Sequence, residues 1–288
     1  YGFMTMLVRI AHDLSPTHLT VAFDRPAPTF RKTLYKEYQI KRPKMDDGLV
    51  SQIPLVHDLV EATRIPIYEI DGFEADDVIA TTVSWAQNEG ITTSIIVTGD
   101  RDLLQLVEPS IFAYMPTKGL SEAKLYGPQE TEARMGVTPP QIPDFKALAG
   151  DQSDGYPGVA GVGPKTAALL LKDFGTVENL YHALETDDAR TRDLSASLVE
   201  KLRTGKELAM LSKDLATVRK TVPIEFNREA MTTWSFTTDD VFSRLEKLGF
   251  VSLVKRLQKQ AGGGTEEKEH AQKKHPNKSS SGDQMELL

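Results

Sequence analysis

The stretch Thr93-Ser94-Ile95-Ile96-Val97-Thr98-Gly99-Asp100 decides the fold class that this sequence predicts. Its first six residues are mostly β-branched and carry no charge, which is typical of a buried strand. The run then ends at a glycine and an aspartate, which is turn chemistry. We therefore predict a buried strand over residues 93–98 that ends with a carboxylate at the edge of a sheet.

Strands and helices alternate on the amino-terminal side of this stretch. We predict helices over residues 2–13, 49–63 and 74–88, and strands over residues 19–23 and 65–70. The second helix has one apolar face, made by Leu55, Val56, Leu59 and Val60. This alternation is typical of an α/β fold with a mostly parallel sheet flanked by helices.

After Pro128 the sequence pattern changes to short helical segments and glycine-rich turns. A glycine-rich run at 158–164 leads into a predicted helix at 165–172, and from Gly262 the chain is polar and low in complexity. We predict a core domain over residues 1–125, a helical domain over residues 126–258, and a disordered tail or linker over residues 259–288.

Composition narrows the function classes. The 288 residues are 40% hydrophobic and 26% charged and include no cysteine, so a packed core is expected, while disulfides and thiolate metal sites are excluded. No apolar run could span a bilayer and no signal peptide is evident, so we expect a cytoplasmic protein without a membrane partner. The net charge of −7 argues mildly against a polyanion partner, but segregated charges can override the total.

Acidic residues fall into four clusters at the predicted strand ends and helix starts. Carboxyl ends of parallel strands meet at one edge of a sheet, so we expect these side chains to converge. Carboxylates without His or Cys point to Mg²⁺ or Mn²⁺, and two such ions can hydrolyse a phosphodiester. The candidate ligands are Asp24, Glu74, Asp76, Asp77, Asp100, Asp102, Asp151 and Asp154.

Each cluster also has a purely structural interpretation. Asp76, in the first turn of a helix, is equally well explained as a partner of the helix dipole. An aspartate after a strand is often only turn chemistry. Taken together, four clusters at one predicted edge favour a metal site.

Successive motifs resemble those of the bacterial 5′→3′ exonuclease and flap endonuclease family, and are most similar to the 5′ nuclease domains of bacterial DNA polymerases I. The resemblance covers about residues 1–255. The motifs, in chain order, are Val21-Ala22-Phe23-Asp24, Phe30-Arg31, Gly72-Phe73-Glu74-Ala75-Asp76-Asp77-Val78-Ile79, Thr98-Gly99-Asp100-Arg101-Asp102-Leu103, Gly150-Asp151-Gln152-Ser153-Asp154 and Pro157-Gly158-Val159-Ala160-Gly161-Val162-Gly163-Pro164-Lys165-Thr166-Ala167.

The resemblance implies a PIN-like, resolvase-like nuclease core joined to a helix–three-turn–helix DNA-binding module. It implies that the acidic residues hold two divalent ions, some of them through water, and that a potassium ion binds backbone oxygens of the helical module. It implies roles in replication and repair, on flaps and RNA primers. The catalytic residues that it implies are Asp24, Glu74, Asp76, Asp100 and Arg42.

The sequence departs from the family pattern in three places. The family's first strand and its metal-binding Asp do not precede Tyr1, Gly155 stands where an Asn is usual, and Gln39 stands where a Lys is usual. From the first departure we expect this chain as written to bind flapped DNA but to cut it poorly.

Two segments are candidates for DNA contact. Residues 25–48 are basic with interleaved tyrosines, and in the family this segment is an arch around a single-stranded 5′ end. The glycine-rich turn and the helix start after it offer backbone N–H groups to a phosphate. The plain alternatives are a solvated charged helix and an ordinary loop–helix junction. The candidates are Arg31, Lys32, Tyr35, Lys36, Lys41, Arg42, Gly158, Gly161, Gly163, Lys165 and Thr166.

The favoured interpretation is a monomeric, nucleoid-associated nuclease that acts on DNA with 5′ flaps, nicks or free 5′ ends, with a polymerase domain in cis or in trans. One rival is a catalytically impaired fragment that only binds branched DNA. A second rival is a PIN-type ribonuclease, against which the glycine-rich turn argues because it suits a duplex DNA backbone.

Overall fold

The structure is a computed structural model that describes residues 1–116 and 123–262. Most of the predicted tail, residues 263–288, lies outside the described residues, whereas residues 259–262 are the helical end of the last element. The helices are α1 (Gly2–Leu14), α2 (Phe30–Leu34), α3 (Asp47–Val50), α4 (Ile53–Ala62), α5 (Ala75–Asn88), α6 (Pro128–Met135), α7 (Ile142–Ala149), α8 (Pro164–Phe174), α9 (Val177–Glu185), α10 (Ala196–Ala216), α11 (Asp239–Lys247) and α12 (Val251–Gly262). The strands are β1 (Val21–Ala22), β2 (Ile67–Tyr68), β3 (Ser94–Val97), β4 (Ile111–Pro116) and β5 (Ala123–Tyr126).

The predicted α/β class with mostly parallel strands is confirmed. Strands β1 and β2 form a parallel pair, β3 and β4 form a second parallel pair, and β5 joins β4 in antiparallel orientation. The strands at 19–23 and 65–70 were predicted longer than the two-residue ladder that forms, and β1 is only half-buried. In β3, Ile96 is buried but Ile95 is 37% exposed. The strands belong to two small sheets. Their residues are therefore less buried than those of a central strand in one large sheet would be.

The predicted helix at 49–63 is two helices. The chain breaks between α3 and α4, where Pro54 occupies the second position of α4 and needs no N–H partner there. Leu59 and Val60 are buried as predicted, but Leu55 is 45% exposed. Leu55 lies in the first turn of α4, ahead of the part that packs.

The chain divides into two compact units. The first consists of residues 1–19, 53–65 and the described residues from 230 onward, and it contains α1, α4, α11 and α12. The second consists of residues 20–52 and 66–229 and contains both sheets and the remaining helices. All the candidate site residues belong to the second unit. The division at residues 125 and 126 stays a prediction.

Helix α7 lies at the centre of the helical part of the second unit. Its residues Ile142, Ala147 and Leu148 are fully buried in a core that α8, α9 and α10 share. At its carboxyl end the chain makes a close backbone contact: a Cβ on Gly158 would lie 2.3 Å from the amide nitrogen of Gly150. Gly158 is therefore required by packing and is buried, and its role as a DNA contact stays a prediction.

A buried ion pair joins three separated segments of the second unit. Arg31 of α2 donates from both terminal nitrogens to Asp77 of α5, at 2.7 and 2.9 Å. The Arg31 Nε also donates to the Leu215 carbonyl at the end of α10, at 2.8 Å. Asp77 is 0% exposed and also accepts from the backbone N–H groups of Glu74 and Arg219. Its lone pairs are thus committed within the protein.

We expect Arg31→Met to lower the free energy of unfolding by about 3–5 kcal/mol, because it leaves a buried carboxylate without its cation. The measurement is a urea unfolding curve. The matched control is Arg25→Met, which removes ion pairs with the partly exposed Glu69 and Asp71 and is expected to change stability by about 0–1 kcal/mol. Equal losses in the two variants would show that the buried pair is not a structural anchor.

Candidate metal centre and nucleic-acid interface

Four segments deliver carboxylates to one cleft of about 1240 Å³. One aspartate follows β1, a Glu–Asp set begins α5, two aspartates follow β3, and two lie in the loop after α7. This convergence is the arrangement that the strand ends predict. The acidic residues that line the cleft are Asp24, Glu74, Asp76, Asp100, Asp102, Asp151 and Asp154.

Backbone donors hold several of these side chains in place. Asp24 Oδ1 accepts from the Ala75 N–H in the first turn of α5 at 2.7 Å. Asp100 Oδ1 accepts from the Asp102 N–H at 2.8 Å, at the start of a 3₁₀ turn. Asp24 uses the positive end of α5, so the same helix start that carries Glu74 and Asp76 also orients the carboxylate from β1.

Three of the carboxylates form a compact group. One oxygen from each of Asp102, Asp151 and Asp154 lies within 4.8 Å of the others. The loop that carries the last two is shaped by Asp151 Oδ1, which accepts from the Ser153 N–H at 2.7 Å. Three oxygen ligands at this spacing are a donor set for a hard divalent cation.

The carboxylates of the cleft repel one another. Burial, together with Asp100, Asp24 and Glu74, raises the pKa of Asp76 from 3.8 to about 8. Burial also raises the pKa of Asp102 to about 6, against the opposing effect of Lys146. Either protonation of these carboxyl groups or the binding of cations relieves this repulsion.

Lys146 is a site residue that sequence reasoning missed. Its ammonium group is paired with both Asp102 and Asp151. Burial alone would raise the pKa of Asp151, but hydrogen bonds from Lys146 and Ser153 outweigh it and lower that pKa. The only signal in the sequence is a single lysine in the otherwise apolar second half of α7, five residues before Asp151.

The Arg31–Asp77 pair bears on two predicted roles, which stay predictions. Asp77 was predicted as a metal ligand, yet it is fully buried and does not line the cleft. Arg31 was predicted to contact DNA, yet it is 2% exposed and committed to Asp77 and Leu215. Both are positioning residues in this structure.

The basic segment at 25–48 consists mostly of turns and irregular chain rather than one charged helix. Near the start of this segment α2 is helical, and turns follow it through residue 42. Lys36, Lys41 and Arg42 are exposed, whereas Lys32 donates to the Tyr38 carbonyl at 2.6 Å. Arg42 and Lys41 line the acidic cleft.

The two tyrosines of this segment face inward. Tyr38 is buried, stacks on Tyr156 and donates to Glu74 at 3.2 Å. Tyr35 is half-buried and packs against the same cluster. Tyr38 is therefore covered in this structure, and base stacking by the tyrosines of this segment stays a prediction. Gln39 donates to Asp154 at 3.0 Å and so ties the segment to the acidic loop.

The glycine-rich turn ends at an exposed helix start. Gly161, Gly163 and Lys165 are exposed and Thr166 is half-buried, with Pro164 as the first residue of α8. A Cβ on Gly163 would meet no atom of the described protein within 4 Å. The backbone at Gly163 is thus open to an external group, as the DNA-contact prediction requires. The predicted potassium site in this turn stays a prediction.

Comparison with known proteins identifies the family. The model for the 5′-3′ exonuclease N-terminal resolvase-like domain matches residues 1–136, and the model for the 5′-3′ exonuclease C-terminal SAM fold matches residues 137–239. This chain belongs to the 5′-3′ exonuclease family.

Individual relatives of this 5′-3′ exonuclease chain agree with that assignment. DNA polymerase I of Bacillus caldotenax is 39% identical over 90% of this chain, and DNA polymerase I of Mycobacterium tuberculosis is 36% identical over 89%. The chain spans 29% and 28% of the lengths of these two relatives. The T5 D15 protein co-crystallized with metal ions shares the fold, with a TM-score of 0.63 and 18% identity over 89% of each chain.

Among the helices that the structure describes for this exonuclease chain, none combines the length and the apolar character that crossing a bilayer requires.

Because the pKa of Asp76 is raised, we predict that the folded protein becomes less stable as the pH rises when metal is absent. Between about pH 4 and pH 8 the folded exonuclease chain retains a proton at Asp76 that the unfolded chain releases, so unfolding is favoured as the pH rises. In excess chelator, Asp76→Asn should therefore raise the melting temperature more at pH 8 than at pH 5. Asp193→Asn, at an exposed carboxylate outside the cleft, should show no such pH dependence. The same gain at both pH values for Asp76→Asn would contradict the prediction.

Proposed function

We propose that this chain hydrolyses DNA phosphodiesters at 5′ flaps, nicks and free 5′ ends, with two divalent ions held by the cleft carboxylates. The convergence of seven carboxylates from four chain segments carries this proposal. Mutual repulsion among so many carboxylates destabilises the metal-free fold, and bound cations would offset it. The assignment to the 5′-3′ exonuclease family supports the same chemistry.

The donor set fits hard divalent ions. The cleft residues offer carboxylate oxygens without histidine or cysteine, a set that suits Mg²⁺ or Mn²⁺. We assign one position to Asp24, Glu74, Asp76 and Asp100, and a second to Asp102, Asp151 and Asp154. When bound, a pair of such ions supplies an activated water and stabilises the leaving oxygen of the phosphodiester.

The protein's own residues position the substrate. We assign Lys36, Lys41 and Arg42 to the phosphates of the 5′ single strand, because these exposed cations stand beside or on the wall of the acidic cleft. Their charge offsets the repulsion between a polyanion and the carboxylates. Arg42 is the catalytic candidate among them, since its guanidinium can grip a phosphate with two donors.

We assign the turn at Gly161 and Gly163, with Lys165 and Thr166, to the duplex backbone. The exposed start of α8 provides free N–H groups and the positive end of a helix dipole, which favour a phosphate. Such contacts carry no base information, so duplex binding should be independent of sequence. A bound potassium ion would act at this same turn.

The relatives support the wider assignments. A T5 D15 flap endonuclease that shares the fold was crystallised as a complex with DNA and metal ions, with a TM-score of 0.61 and 18% identity. The relatives named DNA polymerase I support a polymerase domain as a partner in cis or in trans. We extend the proposal to RNA primers as part of the substrate and to a cytoplasmic, nucleoid-associated location. We take the nuclease unit to act as a monomer.

Asp100→Asn is expected to lower the turnover of a labelled flap substrate about a hundredfold or more in Mg²⁺ or Mn²⁺, because it removes a ligand charge. Binding of the same flap should change little, since no basic contact is lost. Asp193→Asn is the control and should cut at the rate of the unmutated chain. Undiminished cleavage by the unmutated chain in excess chelator would refute the metal mechanism.

Gly163→Val is expected to weaken duplex affinity, because its side chain meets open space in the free protein and the phosphate backbone in the complex. The melting temperature should fall only slightly, since valine suits the N-cap position of α8 less well than glycine. Lys165→Ala should reduce the salt dependence of binding by about one unit of slope. Gly2→Val, at another glycine with open space around it, is the matched control. If Gly163→Val binds duplex as tightly as this control, the turn does not touch DNA.

A further inference from the structure

The two groups of cleft carboxylates differ in one respect. In the part of the chain that the structure describes, no basic side chain forms an ion pair with Asp24, Asp76 or Asp100. The fourth member of that group, Glu74, lies 3.3 Å from a terminal nitrogen of Arg31, which is already bonded to Asp77. The other group already holds a cation, because the Lys146 ammonium is paired with Asp102 and Asp151 at once. The second group is therefore partly neutralised before any ion binds.

Lys146 belongs to the wall of the cleft. It is 9% exposed, and it lies on α7 directly before the fully buried Ala147 and Leu148. A surface lysine that merely reaches into a cleft would keep its stem in water. Here the helix that anchors the core also fixes the ammonium beside the acidic loop, so its position is set by the fold.

The charge of Lys146 has opposite effects with and without a divalent ion. Without metal, it offsets the mutual repulsion of Asp102 and Asp151 and stabilises the folded cleft. With metal, an ion that enters the group must displace the ammonium or accept a like charge a few ångströms away, and either event weakens binding. Both effects come from one group in one place.

We propose that Lys146 is the resident counter-ion of the Asp102–Asp151–Asp154 group and makes this group the weaker of two metal positions. Metal ions then bind in order, first at the group of Asp24, Glu74, Asp76 and Asp100, and second at the group that contains Lys146. This inference rests on the proposed function, because it assumes that the cleft binds divalent ions.

Calorimetric titration of the full chain with MnCl₂ tests the proposal. The unmutated chain should show a tighter and a weaker class of site, and Lys146→Met should tighten the weaker class about tenfold or more. The same variant should melt at a lower temperature in chelator and gain more stability from Mn²⁺. Lys146→Arg keeps the charge and should behave like the unmutated chain.

A control separates charge in the cleft from loss of stability. Lys213→Met removes ion pairs with Asp144 and Glu178, and none of these three residues lines the cleft. It should change the melting temperature without changing Mn²⁺ affinity. If Lys146→Met does not fold in chelator, its recovery in Mn²⁺ supports the proposal, and if it folds in neither, the affinity of Lys146→Gln decides.

The Mn²⁺ titration distinguishes failure of the counter-ion proposal from failure of the proposed function. Unchanged or weaker Mn²⁺ binding by Lys146→Met, or by Lys146→Gln where that variant is used, overturns the counter-ion role while leaving the proposed function intact. An unmutated chain that binds no Mn²⁺ overturns the proposed function itself. Tightening of both classes of site to the same extent would also overturn the proposal, since the effect must be confined to the group that contains Lys146.

Discussion

The bidentate contact between Arg31 and Asp77 is the interaction on which the rest of the site depends. Asp77 accepts from the Glu74 N–H and so fixes the first turn of α5, which carries Glu74 and Asp76 and orients Asp24. Arg31 reaches the carbonyl of Leu215 and so fixes the end of α10 against the base of the basic segment. A pair enclosed in this way is strongly destabilising to break, because either partner alone is a buried charge. The helix start, the basic segment and the helical region are therefore held in one arrangement.

With that pair satisfied internally, the remaining charge in the cleft is unbalanced. The pKa of Asp76 is raised to about 8 by burial and by Asp100, Asp24 and Glu74, so one side of the cleft resists ionisation. On the other side Lys146 supplies part of the missing positive charge. Sites that keep such strain are usually functional, since a core selected for stability alone would replace the carboxylates. The carboxylates of the cleft are thus neutralised enough for the protein to fold, but they still carry excess negative charge that divalent cations can balance.

The sequence predicted what depends on local pattern. Strand ends and helix starts can be identified from periodicity and turn chemistry, so the placement of Asp24 and Asp100 after strands and of Asp76 at a helix start was predictable. The single sheet edge expected for them is instead divided between two sheets. Long-range contacts are invisible to such patterns. Arg31 looks like any other cation of a basic segment, and only the fold brings it to Asp77 and to a carbonyl 184 residues away. Lys146 was missed for the same reason, because its partners are set by tertiary packing.

The glycine-rich run illustrates the difference within a single motif. Gly158 is required inside the protein, where its backbone lies against Gly150, whereas Gly163 has open space around it. The Val159 N–H donates to the Leu148 carbonyl at 2.9 Å and ties the run to the end of α7. The acidic loop after Gly150 and the exposed turn at Gly163 are consequently parts of one braced segment. Under the proposed function, a duplex bound at this turn would lie at a fixed distance from Asp151 and its neighbours.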